Sequence, residues 1–159
     1  MNKTRRTLMQ EQDPEIRSEN FLEVALGYTQ EEAMGEALRC IDCKNPRCVT
    51  ACPVNVDIPG FIRDLKNNDV KKAFESIYED NILPSICGRV CPQESQCEGQ
   101  CILGIKGESV SIGALERYVG DYGMEKGLAQ TPRPASNGRK VAVVGSGPAG
   151  LANAASMRK

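Results

Sequence analysis

Eight cysteines lie between positions 40 and 101, in two groups of four. The first reads Cys40-x2-Cys43-x4-Cys48-x3-Cys52-Pro53, the second Cys87-x3-Cys91-Pro92-x4-Cys97-x3-Cys101. Thiols grouped in this way suit three kinds of chemistry. A disulfide framework needs an oxidising compartment. The opening residues Met1 to Arg6 are charged and lead into no apolar stretch, so no secretory signal and a cytoplasmic location are expected. Zinc held by four thiolates usually comes from separated CxxC knuckles, and only Cys40 and Cys43 have that spacing. The third is a pair of cubane iron–sulfur clusters. A dense cysteine run ending in Cys-Pro is the habit of bacterial ferredoxins, where three close thiolates wrap one cluster and the fourth reaches another. The x2-x4-x3 spacing departs from the ferredoxin x2-x2-x3, so the pattern is a variant. By spacing alone each group could serve its own cluster, or the runs could cross, because the chain must change course at Cys52-Pro53.

Composition removes other classes. There is no histidine, which excludes His-based acid–base catalysis, Ser-His-Asp and Cys-His nucleophiles, and mixed Cys/His zinc sites. The net charge of −1, from 20 Lys+Arg against 21 Asp+Glu, argues against a nucleic-acid binder and against an acidic tail. No apolar run approaches the roughly 18 residues that a membrane span needs. Aromatics make up 4% of the 159 residues, too few for a deep core, so other staples are expected.

A second motif closes the chain. The apolar run Lys140 to Val144 reads as a buried strand feeding Gly145-Ser146-Gly147-Pro148-Ala149-Gly150, and Leu151 to Ala155 reads as a helix start. Between a strand and a helix, GxGxxG is a dinucleotide-binding fingerprint: Gly145 for the tight turn, Gly147 for close approach to a pyrophosphate. The acidic ribose partner expected about 20 residues later is absent before Lys159. The reading is therefore of the front part of a longer flavoprotein. It has a domain over 1–126, a Pro/Gly-rich linker over 127–139 and a truncated βα unit over 140–159.

The elements around the cysteines read as helices. Asp13-Pro14 is an N-cap followed by Pro at the first helical position, opening a segment with Ile16, Phe21, Leu22 and Val24. Thr29-Gln-Glu-Glu32 fits a capping box leading through Ala33 to Leu38 and delivering the chain to Cys40. Asp57-Ile-Pro59 starts a helix whose Ile58, Phe61, Ile62 and Leu65 recur at i, i+3, i+4, i+7. Asn67-Asn-Asp69 ends it and caps the next, with Val70, Ala73, Phe74, Ile77 and Tyr78 on one face. These stripes are core that keeps water from the sulfurs. Ser109 or Ser111 caps a helix containing Ile112, Leu115, Tyr118, Val119 and Tyr122. No strand pattern appears before residue 140.

The run from Cys40 to Phe61, the segment Ile86-Cys-Gly-Arg-Val-Cys-Pro92, and the fingerprint from Val141 to Gly150 resemble the amino-terminal region of the NADPH-dependent glutamate synthase small (beta) subunit family. The large subunit of NADH-dependent ferredoxin:NADP oxidoreductase and the amino-terminal region of dihydropyrimidine dehydrogenase are related. The resemblance implies a mostly α fold: an α-helical ferredoxin-like domain with two [4Fe–4S] clusters, followed by the first βα unit of a Rossmann-type FAD domain. It implies an oxidoreductase in which NADPH delivers a hydride to FAD and single electrons pass through the clusters to a large (alpha) glutamate synthase subunit or equivalent acceptor. FAD and NADPH would be bound only by the full-length protein, so the fragment alone is expected to be catalytically inactive. Ferredoxin-linked transhydrogenation and a redox-inert scaffold holding zinc are the alternative functions. No nucleic acid or membrane partner is expected.

The same resemblance implies a crossed ligand set. Cys40, Cys43, Cys48 and Cys101 would hold one cluster, and Cys52, Cys91 and Cys97 three corners of the other. The relatives take their remaining ligand from an oxygen-bearing side chain in the motif that reads here Val110-Ser-Ile-Gly-Ala-Leu-Glu116. That makes Glu116 the eighth ligand and leaves Cys87 an unligated thiol.

Overall fold

The computed structural model describes residues 5–129 and 135–158. Met1 to Thr4 of the charged N-terminal segment, Gln130 to Pro134 of the expected linker, and Lys159 lie outside the described residues. The elements in chain order are β1 (Gln10–Glu11), α1 (Pro14–Ser18), β2 (Ala25–Gly27), α2 (Gln30–Ala37), α3 (Arg47–Thr50), α4 (Ile58–Lys66), α5 (Val70–Asp80), α6 (Pro84–Val90), α7 (Ile112–Glu125) and α8 (Pro148–Ser156). Three short 3₁₀ turns, Gln93–Ser95, Glu98–Gln100 and Ile102–Ile105, carry the chain from α6 toward α7. The chain is mostly helical. No helix among the described residues is long and apolar enough to cross a membrane.

Local chemistry accounts for most helix starts. The Thr29 hydroxyl accepts from Glu32 N while the Glu32 carboxylate accepts from Thr29 N, the reciprocal capping box. Asp57 caps α4 through Gly60 N, and Asp69 caps α5 through Lys72 N. Asn68 takes a left-handed φ of 60° at the break between them, which Asn tolerates better than most residues. The apolar stripes meet as a core in which Phe61, Ile62, Leu65, Phe74, Ile77, Leu115 and Val119 are buried, with Phe74 stacked on Tyr78 at 5.1 Å.

Three expectations need correction. Before residue 140 the chain does form strands: β1 and β2 pair antiparallel, with Gln10 opposite Gly27 and Glu11 opposite Ala25. Strands of two and three residues are too short to carry an alternating pattern, so pairing alone makes them. The first helix stops at Ser18, where Asn20 Nδ2 caps the carbonyl of Ile16 and leaves Phe21 and Leu22 exposed in a loop. The run Lys140 to Val144 forms no strand among the described residues, and Val141 and Val144 are exposed. A strand exists only with a partner to complete its hydrogen bonds.

Helix α7 is held from outside its own sequence. Ser111 precedes it but makes no side-chain cap. Instead the fully buried Glu36 on α2 accepts from Ser111 N (2.8 Å), and the buried Glu98 accepts from Gly113 N (3.0 Å). Glu36 also accepts from Thr7 N (2.7 Å) and pairs with buried Arg39, whose guanidinium donates to the carbonyls of Glu108 and Ser109. Arg6 donates to the second oxygen of Glu98. Two carboxylates at one helix N-terminus also suit its dipole.

Glycines set the contact of α6 with α7. A Cβ on Gly88 would lie 2.5 Å from Arg117 N and 2.7 Å from Gly113 O, and one on Gly120 would strike the backbone of Ser85. Backbone on both sides cannot retreat cheaply. Gly88→Ala is expected to lower stability by about 1–3 kcal/mol, read as a fall in denaturant midpoint. Glu36→Ala strands the buried Arg39 charge and two backbone N–H groups, so a larger loss, about 3–5 kcal/mol, is expected in the same titration.

Candidate metal centre

Helix α2, opened by its capping box at Thr29, ends at Ala37 with Leu38 as its C-cap, and the chain then runs directly into Cys40. Lys66, in the last turn of α4, donates from Nζ to the Cys40 carbonyl at 2.6 Å, and Arg63 holds Asp42 by paired bonds of 2.9 and 3.1 Å. Asp42 has a left-handed φ of 52°, which turns the chain between Cys40 and Cys43. Cys48 lies on α3, and Arg47 beside it donates to Gln100 at 2.8 Å, bringing the second cysteine run alongside the first.

As a result Cys40, Cys43, Cys48 and Cys101 line one cavity of about 370 Å³. Its remaining wall is largely apolar, with Ile58, Pro59, Leu103, Val110 and Ile112. Cys101 thus stands with the first group, although it belongs to the second in sequence. All eight thiols are free. Among the described residues no three Cys, Asp or Glu groups close on a point that would hold a single metal ion. The donor set and the largely apolar wall fit a cluster of several atoms, with soft sulfur ligands around it.

The other residues form a second neighbourhood. Cys87 lies on α6, Cys91 caps its C-terminus, and Cys97 is buried between two 3₁₀ turns. Cys91 interacts electrostatically with Cys87, Glu116 and Cys52, and Cys97 with Glu98, Glu116 and Cys52. Glu116 projects from α7 toward these thiols and accepts from Asn81 Nδ2 at 2.7 Å. Gln93 fills the space beside Gly113, where a Cβ would come within 2.5 Å of its Cδ, and donates to the carbonyls of Cys87 and Gly88. Three contributors escaped the sequence reading. Glu36 and Glu98 resembled ordinary helix acids, whereas Asn81, two residues before the Leu83-Pro84 helix start, did carry a capping signal.

The glycine loop lies apart from these residues. Gly145 has φ of 108°, Gly147 is the N-cap of α8, and a Cβ on Gly150 would collide with the Gly145 carbonyl. Ser146 lies in the turn, and Pro148 and Ala149 open the helix. Gly145 and Gly150 therefore serve backbone geometry, whereas Gly147 has an ordinary extended φ of -73° with open space where a Cβ would lie, at the N-terminus of α8.

The profile of the family described as dihydropyrimidine dehydrogenase domain II, 4Fe–4S cluster, matches residues 17–128. The chain belongs to this family. Its curated relatives include the glutamate synthase [NADPH] small chain of Escherichia coli, 39% identical over 138 residues, covering 86% of this chain and 29% of that protein. The Azospirillum brasilense small chain is 35% identical, covering 89% and 30%. The E. coli NAD-dependent dihydropyrimidine dehydrogenase subunit PreT is 37% identical, covering 84% and 32%. The chain thus spans less than a third of the length of these relatives. The resemblance read from the cysteine runs is the one the comparisons find.

In this 4Fe–4S domain burial makes four of the metal-free thiols, Cys40, Cys48, Cys91 and Cys97, harder to ionise. Burial, with smaller contributions from neighbouring thiols, pushes Cys48 up to about 11; burial and then Cys87 do the same for Cys91. Burial and the Glu98 carboxylate push Cys97 to about 12, and burial also raises Cys40. Burial pushes Glu116 up to about 7, against the opposing hydrogen bond from Asn81. A thiolate ligand must lose its proton, so metal binding here releases protons. A raised thiol holds less thiolate at a given pH. In the metal-free chain, alkylation of Cys48 and Cys91 at pH 8 is therefore expected to run about 100-fold slower than for an ordinary thiol. The rate should climb until about pH 11, as followed by mass spectrometry of the labelled peptides.

Proposed function

We propose that the chain is the electron-transfer domain of a glutamate-synthase-small-subunit-type oxidoreductase, working with two [4Fe–4S] clusters. Cys40, Cys43, Cys48 and Cys101 hold one, and Cys52, Cys91, Cys97 and Glu116 hold the other. The observation that carries this reading is the position of Cys101 on the wall shared with Cys40, Cys43 and Cys48, which a simple division of the two runs would not require. When bound, such clusters supply one-electron carriers. The chain's residues then have distinct tasks. Thiolates fix the irons, and Lys66 places positive charge beside Cys40. Ile58, Val110 and Ile112 exclude water, which influences the reduction potential. Cys87 stays a free thiol.

The helical body over 1–126 is read as the relay and 127–139 as its linker to an FAD domain that begins at 140. There Gly145 to Gly150 would face the FAD pyrophosphate in a longer protein that also binds NADPH. Glutamate synthase small chains among the relatives support a large-subunit partner as electron acceptor. The relay requires no hydride-transfer groups within this chain, and a cytoplasmic location accords with cysteines kept reduced.

Anaerobic reconstitution with iron and sulfide is expected to yield a brown protein with about eight irons per chain, whose visible absorption bleaches with dithionite. A colourless protein containing only zinc would sink the proposal. Cys101→Ala should perturb the cluster held by Cys40, while Glu116→Ala should halve the iron and Cys87→Ser leave it unchanged. Iron lost with Cys87→Ser and kept with Glu116→Ala would hand the eighth position to Cys87.

A further inference from the structure

One amide sits between the two side chains that compete for the eighth iron corner. Asn81 is buried at the junction of α5 and α6. Its Oδ1 accepts from Leu83 N at 2.9 Å, a short turn that caps the start of α6. That backbone donor settles the orientation of the amide, because only an oxygen can accept from it. Nδ2 is therefore the atom that donates to Glu116 Oε1 at 2.7 Å. Oδ1 has a second lone pair, and the Cys87 S–H donates to it at 3.6 Å. A cap alone would need only the Leu83 bond.

We propose that Asn81 is a positioning residue that selects Glu116 over Cys87 as ligand. Its N–H holds one carboxylate oxygen and leaves the other to face the irons. Its carbonyl keeps Cys87 occupied as a hydrogen-bonding thiol, beside Cys91, with which Cys87 also interacts through its side chain. The inference rests on the reading of Glu116 as a ligand. It adds a selection step: the chain holds two candidate donors for one corner, and a neutral amide decides between them. An oxygen in place of a sulfur on one iron changes that cluster's potential and EPR signal, so the choice is observable without any enzymatic assay.

The test is a set of variants of the reconstituted chain, read by iron content, EPR and midpoint potential. Asn81→Leu removes all three bonds, while Asn81→Asp keeps the acceptor for Leu83 and Cys87 but loses the donor to Glu116. Both should change the EPR signal of one cluster and leave that of the other. Glu116→Ala alone should fall from about eight irons to about four. Adding Asn81→Leu should restore the lost iron, because the freed Cys87 thiolate takes the corner, and adding Cys87→Ser to that pair should remove it again. A lowered Tm with unchanged EPR signals and potentials in both Asn81 variants would overturn the proposal, as would failure of Asn81→Leu to restore iron. If Glu116→Ala alone keeps its iron and its signal, the ligand reading itself fails, and that result is distinct from the failure of Asn81.

Discussion

The N-terminus of α7 has no cap of its own, and the arrangement of the molecule depends on how that defect is met. Four backbone N–H groups at a helix start lack internal partners, and leaving them buried and unpaired would be costly. Here Glu36 reaches Ser111 N from α2 and Glu98 reaches Gly113 N from the second cysteine run. Each carboxylate belongs to a segment that carries cysteines: Glu36 lies four residues before Cys40, and Glu98 directly follows Cys97. One helix end therefore gathers both runs. Arg39 and Arg6 supply the positive charge that makes two buried carboxylates tolerable.

The rest of α7 extends this logic. It packs against α6 through glycines, so closely that no side chain fits at Gly88 or Gly120. Close backbones bring Glu116 on one helix beside the thiols borne by the other, and Asn81 bridges them at the helix junction. On its outer side Arg117 donates to the Ala25 carbonyl and, with Arg89, pairs with Glu23 and Asp121. That network joins the small β1–β2 pair to the helical body. A chain poor in aromatics thus relies on glycine contacts and buried ion pairs, besides its apolar stripes, to order the walls around its cysteines. The packing also explains why Cys40, Cys48, Cys91 and Cys97 are harder to ionise without metal: the same exclusion of water that protects a bound cluster disfavours a bare thiolate.

The sequence by itself determined the local features. Caps at Thr29, Asp57 and Asp69, the apolar stripes of α4 and α5, the left-handed break at Asn68 and the turn at Gly145 all arise from interactions within a few residues, so they can be read from neighbours in the chain. The sulfur-rich character of the two cysteine runs was legible for the same reason, since it belongs to residue type. Tertiary structure decided what depends on partners distant in sequence. The β1–β2 pairing, the capping of α7 by Glu36 and Glu98, and the bonds from Asn81 to Glu116 and Cys87 leave at most a faint local signal. The grouping of Cys101 with Cys40 spans some 60 residues and was suggested by resemblance; spacing alone left it open. The run at Lys140 to Val144 makes the same point in reverse. Its residues suit a strand, but a strand is a relation between two segments, and no paired segment lies among the described residues.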